Sequence, residues 1–271
     1  MIGMGEGRKS GDFVQSLERG LAVIRAFGPE TPRLTLSEVA RDTKLTRAAA
    51  RRFLLTLVEL GYVRSDGREF SLGPRVLELG YAYLSGLTLP EVAYPHVQGL
   101  VEKVQESSSV SVLDGEDIVD IVRVPAKRIM TVAVPIGTRF RAHASSKGRV
   151  LLAGFGSEAL DKYLAEAKLD ALTTRTVTAP GKLRKIIDKV RTDGYAFVDQ
   201  EVEEGVRSVA APLSDASGKV IAAINVSAYA SRVSIAAARS AFLPDLLETA
   251  AKIEKDFHSQ GTLRPPVPHS R

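Results

Sequence analysis

Leu17, Leu21, Val23, Ile24 and Phe27 recur at three- and four-residue steps, which predicts a helix over Ser16–Phe27, stopped by Gly28-Pro29. Leu36–Lys44 predicts a second, with Ser37 as N-cap and Val39 and Ala40 turned inward. After a break at Leu45, Thr46 caps a third helix, TRAAARRFLLTLVEL, which closes at Gly61. Ala50, Phe53, Leu54, Leu57 and Leu60 fall on its broad apolar face. Arg47, Arg51 and Leu55 lie to one side, and Ala48 and Arg52 further round. Asp66-Gly67, between Tyr62-Val63 and Phe70-Ser71-Leu72, predicts a two-residue hairpin.

Further along, Val76, Leu77, Leu79, Tyr81 and Leu84 predict a helix over Pro74–Ser85, broken at Gly86. Leu89–Ser107 predicts another, with Val92, Val97, Leu100, Val101 and Val104 inside. So much apolar surface suits either a seam between domains or subunits, or packing within one subunit. Ser109–Pro125 alternates as two strands around Asp114-Gly115, and Ile129–Val134 predicts another. Ser145 caps a helix whose first turn is Ser146-Lys147-Gly148 and whose body holds Val150, Leu151 and Leu152. Helices over Leu160–Ala167 and Lys182–Asp193 come before strands at Tyr195–Asp199, Val206–Pro212 and Val220–Ala228. Ser240–Phe257 closes the chain as a helix. The pattern is α+β: helix, helix, turn, helix and hairpin in the order of a winged helix-turn-helix, then clustered strands flanked by helices. The implied divisions are a disordered leader at 1–12, a winged helix-turn-helix at 13–73, a linker helix at 74–87, an effector-binding domain at 88–258 and a disordered tail at 259–271.

Charge adds a partner. The net charge is +5 over 271 residues, a mild bias, but Arg41, Lys44, Arg47, Arg51 and Arg52 gather against Asp42 alone between positions 41 and 52. Cations at a helix start oppose the helix dipole, so their placement asks for a reason. In a recognition helix, small Ala48 and Ala49 let the backbone enter the major groove, while arginine forks onto guanine or clamps phosphate. Ser37, Thr46 and the open amides of the helix starts can hold phosphate oxygens, and Arg64 and Arg68 would extend contact from the hairpin. Alternatively these are solvated cations. The chain has no cysteine and no run of about 18 apolar residues, so disulfides and a membrane helix are not expected, and a cytoplasmic location is.

Catalytic inventory is thin. The histidines His96, His143, His258 and His269 are not spaced as metal pairs, and no phosphate or dinucleotide loop or nucleophile elbow occurs. No metal, cofactor or catalytic residue is therefore expected. Glu201, Glu203 and Glu204 read as a solvated loop rather than an acid–base site. Ser145, Ser146, Lys147 and Gly148 bring hydroxyls, amides and an ammonium to one helix start, which suits a carboxylate, although a plain serine cap would look the same.

The segments VQSLERGLAVIRAF, LTLSEVARDTKLTRAAARRFLLTLVELGYV, RVPAKRIMTVAVPIGTRF, GRVLLAG, VDQEVEEGVRSVAAPL and AAINVSA resemble the IclR family of bacterial transcription regulators. Within it they resemble the branch controlling β-ketoadipate and aromatic-acid catabolism. The resemblance, from about Phe13 to Phe257, implies a winged helix-turn-helix, a linker helix and a GAF-like effector-binding domain, a dimer or tetramer, and palindromic double-stranded operators. It also implies an effector, an aromatic acid or a β-ketoadipate-like acid, near Ser146, Lys147, Gly148, Asp199, Ser208, Asn225 and Ser227. Where that branch tends to read Tyr-Ala-Thr-Ser-Met-Gly, this chain has His143-Ala144-Ser145-Ser146-Lys147-Gly148, a lysine in place of methionine. A small-carboxylate enzyme with a DNA-binding-like N-terminal module, and an architectural DNA protein with no ligand, are the competing readings.

Overall fold

The computed structural model describes residues 13–79, 88–126 and 134–261. The leader, the end of the tail, most of the linker helix and residues 129–133 of the expected strand lie outside these. The chain divides into two compact units, Met1–Ser85 and Gly86–Arg271.

In the first unit, α1 (Gln15–Arg25), α2 (Leu36–Asp42) and α3 (Arg47–Glu59) surround a core of Val23, Phe27, Leu34, Val39, Ala40, Ala50, Leu54, Leu57 and Val63. Fully burying a leucine or valine contributes about 1.5–3 kcal/mol each, which is what docks α3 on its neighbours. Ser37 is not the cap of α2. Thr35 is, in a reciprocal capping box: its side chain accepts from Glu38 N, and Glu38 Oε2 accepts from Thr35 N at 2.7 Å. Thr35 also ends the short strand β1 (Leu34–Thr35), and its extended backbone suits both roles. Ser37 sits exposed in the first turn. Leu60, expected on the inner face, is 49% exposed, because the helix ends there and Gly61 turns away with φ +80°.

The hairpin pairs β2 (Val63–Ser65) with β3 (Glu69–Leu72), and β1 adds a third strand beside β3. Its turn is wider than the two residues expected, since Ser65 pairs with Phe70. Asp66 is the reason. Its carboxylate accepts from the amides of Arg68 (3.0 Å) and Glu69 (2.8 Å), which holds the carboxyl below its usual range and the loop open.

The second unit is a six-stranded antiparallel sheet in the order β6 (Arg139–Arg141), β5 (Asp117–Val124), β4 (Ser107–Asp114), β9 (Val220–Tyr229), β8 (Val206–Ser214), β7 (Ala196–Asp199). One face takes α4 (Thr88–Val104) and the closing helix α9 (Leu243–Gly261). The latter follows a single helical turn, α8 (Ile235–Ala237), and a π-helical turn, Ala238–Phe242. The other face takes α5 (Ser146–Ala153), with α6 (Ser157–Glu166) and α7 (Pro180–Asp193) behind it, over a core including Ile118, Leu152, Leu160, Leu183, Ile187 and Ala223. Alternation along β4 puts Ser107, Ser109 and Ser111 on one side and Val110 and Val112, with Ser108, on the other.

A bulge interrupts that regularity. Val110 pairs with Val122 but Ser111 pairs with Asp120, so Ile121 is an extra residue on β5. The pairing returns Arg123 opposite Ser109. Asp120 and Arg123, three apart, therefore face the same side as Ser109 and Ser111, where an unbroken strand would oppose them.

Candidate functional site

Two sites emerge, one in each unit. In the first, Thr46 caps α3 by accepting from Ala49 N at 3.2 Å, which leaves the amides of Arg47 and Ala48 open. The turn before it is tight: Lys44 takes φ +56°, uncommon for a side-chain-bearing residue. Arg47, Ala48, Arg51 and Arg52 are exposed, Ala49 is half-buried, and Arg64 and Arg68 stand exposed on the hairpin. Among the described residues these five arginines have no protein partner. Arg33, Arg41 and Arg75 nearby each engage a carboxylate, Asp66 at 3.3 Å, Asp42 at 2.9 Å and Glu78 at 3.3 Å. Charges left unpaired on a helix start and a hairpin are available to a polyanion.

In the second unit a cavity of about 180 Å³ lies between the sheet and the start of α5. A cavity of about 150 Å³ accommodates benzene, so this one suits a single ring with small substituents or a short acid. Ser145, Ser146, Lys147, Ser208, Asn225 and Ser227 all line it. Strand register gathers them: Ser227 pairs with both Ser107 and Ser208, and Asn225 with both Ser109 and Ala210. One face of three strands thus carries a polar stripe.

The hydrogen bonds set what that stripe offers. Asn225 Oδ1 accepts from the Ser109 amide (3.2 Å) and hydroxyl (2.9 Å), and its amide nitrogen donates to Ser227 Oγ at 2.8 Å. Ser227 is an acceptor there, so its own proton points elsewhere. Ser146 and Ser208 share one proton across 2.8 Å, which leaves a second hydroxyl proton free between them. The second N–H of Asn225 joins these, making the wall donor-rich. Ser145 is occupied differently, since its hydroxyl caps α5 by accepting from Gly148 N at 3.0 Å.

Lys147 is 4% exposed. Its ammonium donates to Ser109 Oγ at 2.5 Å and to Asp120 Oδ1, which also takes the Ser111 hydroxyl. Burial pushes the lysine down from its ordinary value, and the Asp120 carboxylate opposes that push. Arg123 approaches the other Asp120 oxygen at 3.5 Å and lines the cavity.

Two expected residues are not in the wall. Gly148 is there for space: a Cβ would sit 2.1 Å from Ala142 O, so only glycine lets α5 approach the turn before it. Asp199 is turned to Arg175 (2.8 Å) and Arg207 (2.9 Å), outside the lining. The acidic run also divides. Glu203 and Glu204 are exposed, whereas Glu201 is buried against Arg149 in a two-pronged pair at 2.7 and 2.6 Å. Ser109, Asp120 and Arg123 were not anticipated. The serine alternation on β4 was a signal for the first; the other two needed the bulge.

Residues 16–67 match the IclR helix-turn-helix domain, and 81–255 match the bacterial transcriptional regulator IclR C-terminal domain. The Pca regulon regulatory protein of Pseudomonas putida is 44% identical over 237 residues, 87% of this chain and 81% of that protein. A solved transcriptional regulator from Rhodococcus sp. RHA1 is 56% identical, with a TM-score of 0.82, over 93% of this chain and 100% of that one. A solved IclR homologue from Microbacterium hydrocarbonoxydans, complexed with 4-hydroxybenzoate, is 26% identical with a TM-score of 0.80, over 90% of this chain and 99% of that one. With its helix-turn-helix and its effector-type domain both matched in order along nearly the whole length, the chain belongs to the IclR family of bacterial transcriptional regulators.

Proposed function

We propose that this regulator controls genes of aromatic-compound catabolism and that a small carboxylic acid, bound in the cavity beneath α5, alters its affinity for double-stranded operator DNA. Support comes above all from the donor-rich wall: free protons on Ser227, on the Ser146–Ser208 pair and on Asn225 converge on a space the size of one ring. A carboxylate accepts such donors and offers none in return. The relatives named for the Pca regulon and crystallised with 4-hydroxybenzoate point to the same ligand class. Arg47, Arg51 and Arg52, with Thr46, Ser37 and the alanines, enter the groove, and Arg64 and Arg68 extend contact along the backbone. The working form is a dimer or tetramer in the cytoplasm, on a palindromic site. A ligand acts by favouring one of two assembled arrangements, and its effect equals its differential affinity for them.

The test is fluorescence anisotropy of the protein on its own promoter DNA, titrated with 4-hydroxybenzoate, protocatechuate and adipate. A ligand-dependent change of at least fivefold in DNA affinity is expected for one of them. Identical DNA affinity with and without every acid would sink the effector reading and leave the architectural one.

A further inference from the structure

The cavity's charge is countable. Its described lining holds Lys147, Arg123, Glu106 and Glu203, and Asp120 lies directly behind Lys147 and Arg123. Glu106 is held by Arg232 at 3.2 Å, and Glu203 is exposed to water, which screens it. Lys147 and Asp120 form a buried couple, 4% and 0% exposed. That couple is neutral wherever its shared proton resides. Arg123 remains, so the buried cluster carries one positive charge. A ligand with one carboxylate matches it. A second carboxylate in the same small space would meet Asp120 with no cation of its own among the described residues, and a buried charge left unpaired is costly.

We infer that Asp120, brought onto the cavity face beside Arg123 by the β5 bulge, is a specificity-determining residue that makes this a single-charge site, so the effector is a monocarboxylate with a ring-sized neutral body and dicarboxylates are rejected. Arg123 and the serine hydroxyls take the carboxylate. Lys147, engaged by Asp120 and Ser109, keeps one further N–H for a neutral oxygen such as a phenol. The inference rests on the effector-site reading above and narrows it.

The experiment is calorimetric titration of the full chain with 4-hydroxybenzoate (one carboxylate), terephthalate (the same ring with two) and adipate (an aliphatic chain with two). Wild type is expected to prefer 4-hydroxybenzoate over both dianions by at least thirtyfold. Asp120→Asn raises the cluster by one charge and should shrink that ratio at least tenfold. The Asp120→Asn, Lys147→Met double variant restores the net charge, and although absolute affinities fall, the ratio should return to within threefold of wild type. Arg123→Gln should weaken 4-hydroxybenzoate at least tenfold and the uncharged 4-hydroxybenzamide less than threefold. This variant carries the test if Asp120→Asn does not fold by circular dichroism. Dianions binding wild type as well as 4-hydroxybenzoate, or a ratio unmoved by Asp120→Asn, overturns the inference and leaves the effector site standing. Binding of no probe overturns both.

Discussion

Glu201→Gln keeps the side-chain shape and removes its charge, which isolates what the buried pair with Arg149 does. Arg149 is 2% exposed, and its guanidinium makes both bonds to Glu201 while its Nε donates to His143 O at 2.9 Å. Glu201 Oε2 in turn accepts from Val177 N at 3.0 Å. The pair therefore ties α5 to the β7–β8 connection and to the segment before α7. Gln leaves a buried guanidinium without a counter-charge, a change that costs about 3–5 kcal/mol. With a urea dependence of about 1–3 kcal/mol per molar, the midpoint for the second unit should fall by roughly 1 M or more. Equilibrium urea unfolding followed by circular dichroism measures it. Replacing both partners with apolar residues, Arg149→Met with Glu201→Leu, should recover most of the loss, because the desolvation cost goes with the charges. A midpoint shift below roughly 0.3 M for Glu201→Gln would refute the reasoning, since it would mean that water reaches the pair.

Arg51→Ala and Arg52→Ala should each weaken promoter binding. Where the lost contact is to phosphate, the slope of log affinity against log salt falls by about 1, and where it is to a base, discrimination relaxes by about 1–3 kcal/mol. Thr35→Ala removes the capping box of α2 and should cost about 1 kcal/mol of stability in thermal unfolding, whereas Ser37→Ala should cost little. Gly148→Ala forces a Cβ against Ala142 O and should destabilise the second unit by about 1–3 kcal/mol or more in the same assay. Burial holds His143 below the ordinary imidazole value of about 6.5. Its neutral form is the folded one, so its share of stability is present above that value and is lost as pH falls below it. Thermal midpoints from pH 7.5 to 5 should fall less in His143→Asn than in wild type.

Much of the fold is legible in the chain because its signals are local. Helical spacing in α3, the Thr46 and Ser145 caps and the alternation of β4 each act within a few residues, and each recurs in the structure. Ser37 was misplaced because Thr35, not Ser37, precedes a glutamate by three, and a two-residue strand in front of it has no periodicity to read. The candidate site was partly legible. Ser208, Asn225 and Ser227 came from motif resemblance and strand pairing brings them together, while Ser146 was also legible from its place at a helix start and meets Ser208 at 2.8 Å. Asp199 sits on the edge strand β7 opposite Arg207, where two arginines hold it. Asp120 and Arg123 were not legible, since the polar residues of DIVDIVRV recur every third position instead of every second, and only pairing with β4 shows which residue is extra. Glu201 was hidden by its exposed neighbours, because a run of like charges says nothing about which member turns inward.

The bulge at Ile121 has a consequence for how such a cavity can change over time. On a regular strand, altering the electrical character of a pocket requires replacing the residues that face it. Here drawing Ile121 into a regular ladder would put Arg123 and Asp120 on opposite sides of the sheet while leaving their identities untouched, whereas deleting Ile121 would keep both on one face. On the single-charge reading, ligand preference is thus encoded partly in strand register. Two relatives with the same side chains, offset by one position, could answer to acids of different valence, and a comparison that aligns only residue types would miss the difference.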